Sequence, residues 1–257
     1  MKRRLTALFI CLTLALVAAV KAQDKPAPAK APDAKPAALP SADQIIEKFV
    51  QAMGGKAAIE KLNSRQAKGS FDLPAMGISA SFESYAKAPN KNTVTIDIPG
   101  FGLVQRGYNG TIGWDVNPQT GSRELSGGEL AQMKLGSDFY RDVKLKELFP
   151  KMTVKGTEKV KDRDAYVIEA TSADGITEKM YFDTQSGLLV RTDTEADTPQ
   201  GKMPVTVLAS DYREVDGIKI PFTVEQKTPT IEFVIKLESV KHNVAVDDAK
   251  FNKPAAQ

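Results

Sequence analysis

Apolar and polar residues alternate with a period of two over most of the chain from residue 66 onward. Ile78, Ala80 and Phe82 are separated by polar or charged residues, and the same alternation returns in many later segments. It recurs at Val94, Ile96, Ile98, Ile112, Trp114, Val116, Tyr166, Ile168, Ala170, Met180, Phe182, Val205, Val207, Ala209, Ile231, Phe233, Ile235 and Leu237. This period is typical of strands with one buried face and one wet face.

Short turn sequences separate these segments. Asn109-Gly110, Asp174-Gly175, Ser186-Gly187 and Asp216-Gly217 stand where hairpins would reverse the chain, since Asx-Gly and Ser-Gly pairs favour tight turns. The pattern predicts about ten or eleven antiparallel strands. A sheet of that size usually curls, so a half-barrel is expected.

Two segments show the helical period instead. The first begins at Ser41, which with Gln44 has the spacing of a capping box, and continues with Ile45, Ile46 and Phe49 on one face. The second covers residues 126–150, where apolar residues recur at intervals near three, four and seven. Its apolar positions are Leu130, Met133, Phe139, Tyr140, Val143 and Leu148.

The second helical segment lies between strand patterns and begins with another possible capping box, Ser126 and Glu129. Gly136 is expected to divide it into two short helices, because glycine costs about 1 kcal/mol inside a helix, and Pro150 is expected to end it. Two interpretations stay open. The apolar stripe is either ordinary core against the sheet, or the underside of a mobile lid over an apolar cavity.

The predicted fold is therefore of the α+β class. It consists of a strongly curved antiparallel sheet, an N-terminal helix and an inserted helical lid. Strands with an apolar inner face leave a hollow, which the two helical segments are the candidates to cover or fill.

The beginning of the chain has a different composition. Residues 1–22 combine a basic start, an apolar run shorter than the ~20 residues of a membrane span, and small residues at a cleavage site, which indicates a signal peptide. Residues 23–40 are an Ala/Pro-rich linker. The pattern places a single domain at 41–253 and a short tail at 254–257. We expect export to the periplasm.

Charge and cysteine content narrow the function further. Four of the 35 basic residues lie in the signal segment with no acidic residue, so 31 remain against 32 acidic residues. This balance gives no basic patch for nucleic acid. The one cysteine, Cys11, lies in the same segment, so disulfides are not expected in the domain.

Candidate catalytic residues are scarce. His242, the single histidine, lies near the end of the last strand and is expected to be a solvated surface residue. No cofactor, metal site, nucleotide motif or nucleophile elbow is predicted, and the expected function is non-catalytic. A hydrolase with a carboxylate pair stays as an alternative, because such pairs form only in space.

Several short motifs, taken in order, resemble those of the periplasmic lipoprotein carriers of the LolA/LolB-like, outer-membrane lipoprotein-sorting-like superfamily. They run from Met53-Gly54-Gly55, through residues 103–118, to the tail at residues 246–251. Residues 103–118 contain a strand, the Asn109-Gly110 turn and the Trp114 strand that ends in Asn117-Pro118. The other matches are Tyr181-Phe182-Asp183, Gly187-Leu188-Leu189, Asp211-Tyr212-Arg213, Asp216-Gly217 and Pro221-Phe222.

This resemblance implies a half-barrel with a helical lid and a cavity for acyl chains of lipids or lipoproteins, without covalent chemistry. It favours the lid interpretation of residues 126–150. One motif differs: the carriers have an Arg-Pro pair after the second strand whose arginine holds the lid shut, whereas this chain has Ala88-Pro89 preceded by Lys87.

The sequence thus predicts a lid-gated carrier for a lipid or lipidated protein. It is expected to be a monomer with only peripheral or transient membrane contact and with a second protein of the envelope as a further candidate partner. The alternative is an envelope protein-binding or scaffold module whose half-barrel is filled by its own side chains. The predicted ligand-binding residues are Phe82, Ile96, Trp114, Leu130, Met133, Phe139, Tyr140, Leu148, Met180, Phe182, Val207 and Phe233.

Overall fold

The computed structural model describes residues 38–199 and 201–255. The predicted signal peptide and all but the last three residues of the predicted linker lie outside the described residues, as do the last two residues of the tail. Within the described part of the chain, no helix has both the length and the apolar character that a membrane crossing requires.

Four α-helices accompany the sheet in the described residues: α1 (Ala42–Ala52), α2 (Lys56–Ile59), α3 (Gly127–Ser137) and α4 (Leu145–Leu148). The capping box at the start of α1 is confirmed. The Ser41 hydroxyl accepts a hydrogen bond from the Gln44 amide at 3.2 Å, and the Gln44 side chain accepts one from the Ser41 amide at 2.9 Å. Both bonds satisfy backbone N–H groups that a helix start leaves free.

One antiparallel sheet of 13 strands forms the rest of the fold, two or three more than the sequence predicts. Its strands are β1 (Ser64–Leu73), β2 (Ile78–Lys87), β3 (Lys91–Ile98), β4 (Gly102–Tyr108), β5 (Gly113–Asn117), β6 (Gly121–Glu124), β7 (Lys151–Val160), β8 (Arg163–Thr171), β9 (Thr177–Asp183), β10 (Leu189–Thr198), β11 (Gly201–Val215), β12 (Ile218–Lys227) and β13 (Glu232–His242). The predicted fold class is confirmed.

The strand order explains the half-barrel. Two meanders, β1 to β6 and β7 to β13, join where β1 pairs with β13, so β6 and β7 form the two outer edges. These edges do not pair with each other in the described residues, and the sheet stays open. The chain passes from one edge to the other through α3, a 3-10 turn at Arg141–Val143, and α4. The helical insertion therefore spans the opening.

Helix α1 and the end of the insertion fill the part of the interior that lies over β8, β9 and the start of β12. Ile45, Ile46 and Phe49 of α1 pack against Ile168, Met180, Phe182 and the inner residues of β12, together with Leu145 and Phe149 from the end of the insertion. Phe49 is 1 % exposed, and its ring lies 5.3 Å from that of Phe182 in an edge-on arrangement. This cluster is the main hydrophobic core.

The interior of the N-terminal meander is less covered. Phe71, Leu73, Ala80 and Phe82 are buried, whereas their apolar neighbours on the same inner face are only partly buried. Those neighbours are Ile78, Val94, Ile96, Ile98, Phe233, Ile235 and Leu237. The two halves of the hollow are thus filled to different degrees.

Two details of the insertion differ from the sequence prediction. Ser126 makes no side-chain cap to α3, and Glu129 instead binds the Arg123 guanidinium at 2.7 Å and 2.8 Å. An ion pair with a charged donor is stronger than the neutral cap it replaces. The helix also continues through Gly136 and ends at Ser137. Gly136 is exposed, so its missing side chain costs no packing contact.

Candidate functional site

A hollow lies between the inner face of the sheet and α3, and it consists of two connected chambers. The first chamber has a volume of about 650 Å³, and the second a volume of about 530 Å³. Both chambers share Arg106, Gln132, Gly136 and Gln226 in their walls. Volumes of this size are typical of small-molecule pockets in proteins.

The first chamber has mainly apolar walls from β1 to β4 and β13. Phe82, Ile96, Met133 and Phe233, all predicted from the sequence, lie in these walls. Phe71 and Phe233 form an aromatic pair with ring centres 4.8 Å apart. Met133 belongs to α3, so the helix contributes one apolar side chain to the chamber from above.

The second chamber mixes apolar and polar walls. Val207 is the predicted residue that lines it, with Thr192, Thr194 and Ala196 of β10 beside it and Phe49 of α1 at its floor. Arg141 and Glu178 also border this chamber, and their side chains form an ion pair at 2.6 Å. The pair links the insertion to β9.

Five predicted residues belong to the main core or its margin. Met180 and Phe182 are fully buried in it, and the half-buried Phe139, Tyr140 and Leu148 pack against its edge. The Tyr140 hydroxyl donates to the Leu62 carbonyl at 3.0 Å. Leu130 lies over Gly113 at the other end of the insertion, where a β-carbon on Gly113 would come within 3.0 Å of it.

Trp114 lies on the convex face of the sheet, away from the hollow. Its strand neighbour Asp115 pairs with the inward-facing Arg106, and successive residues of a strand point to opposite faces. The Trp114 indole donates to the Phe251 carbonyl at 2.8 Å. Phe251 ends the 3-10 turn Asp248–Phe251 and is itself fully buried. Alternation alone identifies two faces but not which one is concave, and the tail covers this tryptophan from outside.

Helix α3 is held at both ends by polar contacts. At its start, Arg123 of β6 binds Glu129 and also Asp115. The Gln132 side chain donates to the Glu195 carbonyl at 2.5 Å and accepts from the Asp197 amide at 3.1 Å, where β10 extends beyond β9.

At the far end of α3, the Asn92 amide donates to the Ser137 hydroxyl at 2.9 Å, and the Phe139 amide donates to the Pro89 carbonyl at 2.9 Å. The Ala88-Pro89 position that departs from the carrier motif therefore still contacts the insertion, through the backbone. Lys87 binds Asp248 of the tail instead. Only Ser137 of α3 is fully buried, so the helix rests over the hollow without a deep packing face.

The pKa of Glu129 gives a testable consequence of this attachment. A hydrogen bond from Arg123 is the main cause that lowers this pKa. A carboxylate with a lowered folded-state pKa stabilises the fold above its unfolded pKa of about 4.3, and that stability is lost as pH falls through the lower folded value.

We therefore expect Glu129→Gln to lower the free energy of unfolding by about 1 kcal/mol at neutral pH, since the pair is partly solvated. The difference from the unsubstituted protein should shrink as the pH falls below about 4.3 and through the lower folded-state pKa of Glu129. Urea unfolding at several pH values measures it. A difference that stays constant with pH would contradict a stabilising role for the ionised Glu129.

His242 is not the surface residue that the sequence predicts. Its side chain is 2 % exposed, and its Nδ1 lies 2.9 Å from an Asp216 carboxylate oxygen. Burial is the main cause that lowers the pKa of His242. It ends β13 opposite Arg65 of β1 on the inner face. Within the described residues, no group of three or more His, Cys, Asp or Glu side chains has an arrangement that could hold a metal ion.

Arg106 and Gln226 are two polar residues that line both chambers and that the sequence analysis did not predict. Arg106 pairs with Val94, and Gln226 pairs with Val207 and Phe233, so both stand among inward-facing apolar residues. The sequence contains a pattern that could have identified Arg106, because it alternates in register with Val104 and Tyr108 in β4. A charged residue at an inward position of a strand points into the interior.

No protein-family model matches the sequence, and no curated protein matches it. Solved structures do match in fold. A DUF1329 family protein from Desulfovibrio piger superposes with a TM-score of 0.57 at 15% identity, covering 82% of this chain and 96% of its own.

Two further structures match over similar lengths. A LolA superfamily protein from Nitrosomonas europaea gives a TM-score of 0.54 at 14% identity, covering 84% of this chain and 99% of its own. A domain from Vibrio parahaemolyticus described as an outer membrane lipoprotein-sorting protein gives 0.54 at 11% identity, covering 82% and 97%. The half-barrel, its inserted helices and these superpositions together identify the fold of this chain as LolA-like.

Proposed function

We propose that this protein is a carrier that holds the acyl chains of a lipid or lipidated protein in the two chambers of its half-barrel. The observation that carries the proposal is the pair of connected chambers, about 650 Å³ and 530 Å³, beneath a helix that buries almost none of its own side chains. The half-buried apolar residues of the first chamber are then the surface that a ligand covers.

The energy of such binding supports an apolar ligand. Burying a chain of about fifteen methylene groups contributes roughly 12 kcal/mol before costs, at about 0.8 kcal/mol for each group. Association and the ordering of a lid cost several kcal/mol of this. The binding requires no bond making or breaking, and the protein therefore acts without a catalytic step.

The proposal also includes a cellular location and a gating element. The basic and apolar start of residues 1–22 supports export to the periplasm by a cleaved signal. The insertion acts as the gate because it joins the two unpaired edges of the sheet and is attached by a few polar contacts. Polar contacts of this kind can open without disturbing the main core.

Lipid extraction tests the proposal directly. The full-length protein, exported and purified from native membranes without detergent exchange, is expected to carry lipid that mass spectrometry detects at a stoichiometry near one. A fluorescent fatty acid should bind the delipidated protein and be displaced by unlabelled fatty acid. Absence of both co-purified lipid and fatty-acid binding would refute the carrier function. It would favour the envelope protein-binding module as the alternative.

A further inference from the structure

The inner wall of the hollow carries an arginine at the point where the two chambers meet. Arg106 lies in β4 with its side chain on the inner face, as its pairing with Val94 requires. Val94 lines the first chamber, and Arg106 lines both chambers. An arginine that has no partner in the protein is left with water or a ligand for its N–H donors.

Arg106 has no such partner among the described residues: its guanidinium forms neither a hydrogen bond nor an ion pair there. The nearest carboxylates, Asp115 and Glu129, attract it electrostatically, but both bind Arg123 instead, at 2.7 Å. The five N–H donors of the Arg106 guanidinium are therefore available to a ligand in the hollow.

The environment of Arg106 combines exposure with desolvation. Its side chain is open to water, yet the surrounding protein is the main cause that lowers the pKa of its guanidinium. Exposure to water and desolvation by the surrounding protein occur together for a side chain inside an open hollow. Attraction between charges is stronger there than on a convex surface, because the surrounding protein lowers the effective dielectric constant.

Gln226 adds donors from the other wall. It belongs to β12, which is separated from β4 by four strands in the sheet order, and it lines both chambers as Arg106 does. Its side-chain amide also has no hydrogen-bond partner among the residues that the structure describes. A guanidinium and a primary amide that border the same junction provide N–H donors, which suit a carboxylate or phosphate.

On the basis of the proposed carrier function, we propose that the ligand is an anionic amphiphile whose carboxylate or phosphate head group binds Arg106 at the junction of the chambers, with Gln226 as a second donor. The acyl chain extends along the apolar wall of the first chamber, past Phe82 and Phe233. A branched or second chain has room in the second chamber beside Val207.

The test compares head groups on one chain length. Dodecanoate, dodecyl phosphate and uncharged dodecanol, each below micelle formation, compete with a fluorescent fatty acid for the delipidated full-length protein. We expect the two anions to bind about tenfold to a hundredfold more tightly than dodecanol, since a charge-assisted hydrogen bond in a sheltered site contributes on that order. The tighter anion identifies the head group as a carboxylate or a phosphate.

Arg106→Gln should remove the preference for anions and leave dodecanol binding within about twofold of the original, because the apolar walls are unchanged. Lys68→Gln is the matched control: it removes one positive charge from the convex face of β1, where Lys68 is exposed. It should keep the full preference. Arg106→Lys retains the charge without the planar fork and should give an intermediate preference. Circular dichroism and thermal unfolding verify that each variant folds.

The outcomes separate this inference from the carrier function. If dodecanol and the anions bind equally to the unsubstituted protein, the carrier function stands and the anion site is refuted. If folded Arg106→Gln keeps the preference, or loses dodecanol as well, Arg106 is not the head-group residue. If no amphiphile binds at all, the carrier function itself fails.

Discussion

Replacing Phe49 by alanine is expected to lower the free energy of unfolding by about 3–5 kcal/mol, the range for deleting a buried aromatic side chain. Phe49 is 1 % exposed and contacts Phe182 at the centre of the main core. The cavity left behind lies between α1 and the sheet, where packed strands leave little room to collapse. Urea denaturation monitored by far-ultraviolet circular dichroism measures the loss.

Phe233→Ala is the matched comparison, since it removes the same atoms from the inner face of β13, which lines the first chamber. Phe233 is only partly buried and lines the open first chamber, so we expect a loss nearer 1 kcal/mol together with weaker fatty-acid binding. Equal losses of stability for the two variants would mean that the first chamber is as tightly filled as the core, and would favour the self-filled alternative.

Two of the strands that the alternation did not identify, β10 and β6, lack an apolar set on their inner face. Strand β10 has Thr192, Thr194 and Ala196 on its inner face, which borders the second chamber, so its sequence lacks the apolar set that marks a core strand. Strand β6 has only four residues, Gly121–Glu124, too few for a period to show. Strands beside a cavity or at an edge escape prediction because packing does not select their inner residues.

The motifs that carry the family resemblance lie at contacts that determine the fold. A β-carbon on Gly54 would come within 2.2 Å of the Gly217 carbonyl, and the Lys219 amide donates to the Met53 carbonyl at 2.8 Å. Close backbone approach of this kind requires glycine. Two motifs far apart in sequence therefore meet at one point of the fold.

Motif residues also make structural contacts near the end of the chain and in one turn. Trp114 and Phe251 bind each other on the convex face, and Asp183 accepts two hydrogen bonds from Ser186 in the turn after β9. By contrast, Gln226 belongs to no motif, and Arg106 lies within the motif at residues 103–118 at a position that the resemblance does not mark. The sequence therefore indicates the architecture, whereas the chemistry of the hollow emerges only when strands distant in sequence close around it.

Locking α3 to β10 is expected to stop ligand entry altogether. The insertion spans the two open edges of the sheet, and its start lies against the extended end of β10. A β-carbon on Gly128 would lie 3.0 Å from that of Asp197. Disulfides need a β-carbon separation of about 3.5–4.5 Å, so a small adjustment allows Gly128→Cys and Asp197→Cys to form a bridge.

The double variant, with Cys11 replaced by serine, should load no fluorescent fatty acid when oxidised, within a time that saturates the reduced protein. Reduction should restore loading, and protein oxidised after loading should retain its ligand on dilution. Each single-cysteine variant, treated with the same oxidant, should load normally. Unchanged loading of the bridged protein would mean that ligand enters elsewhere, past the hairpins at the ends of β1 and β13. The helix would then be a fixed wall of the hollow, because a covalent tie across a true gate must slow the exchange of whatever lies behind it.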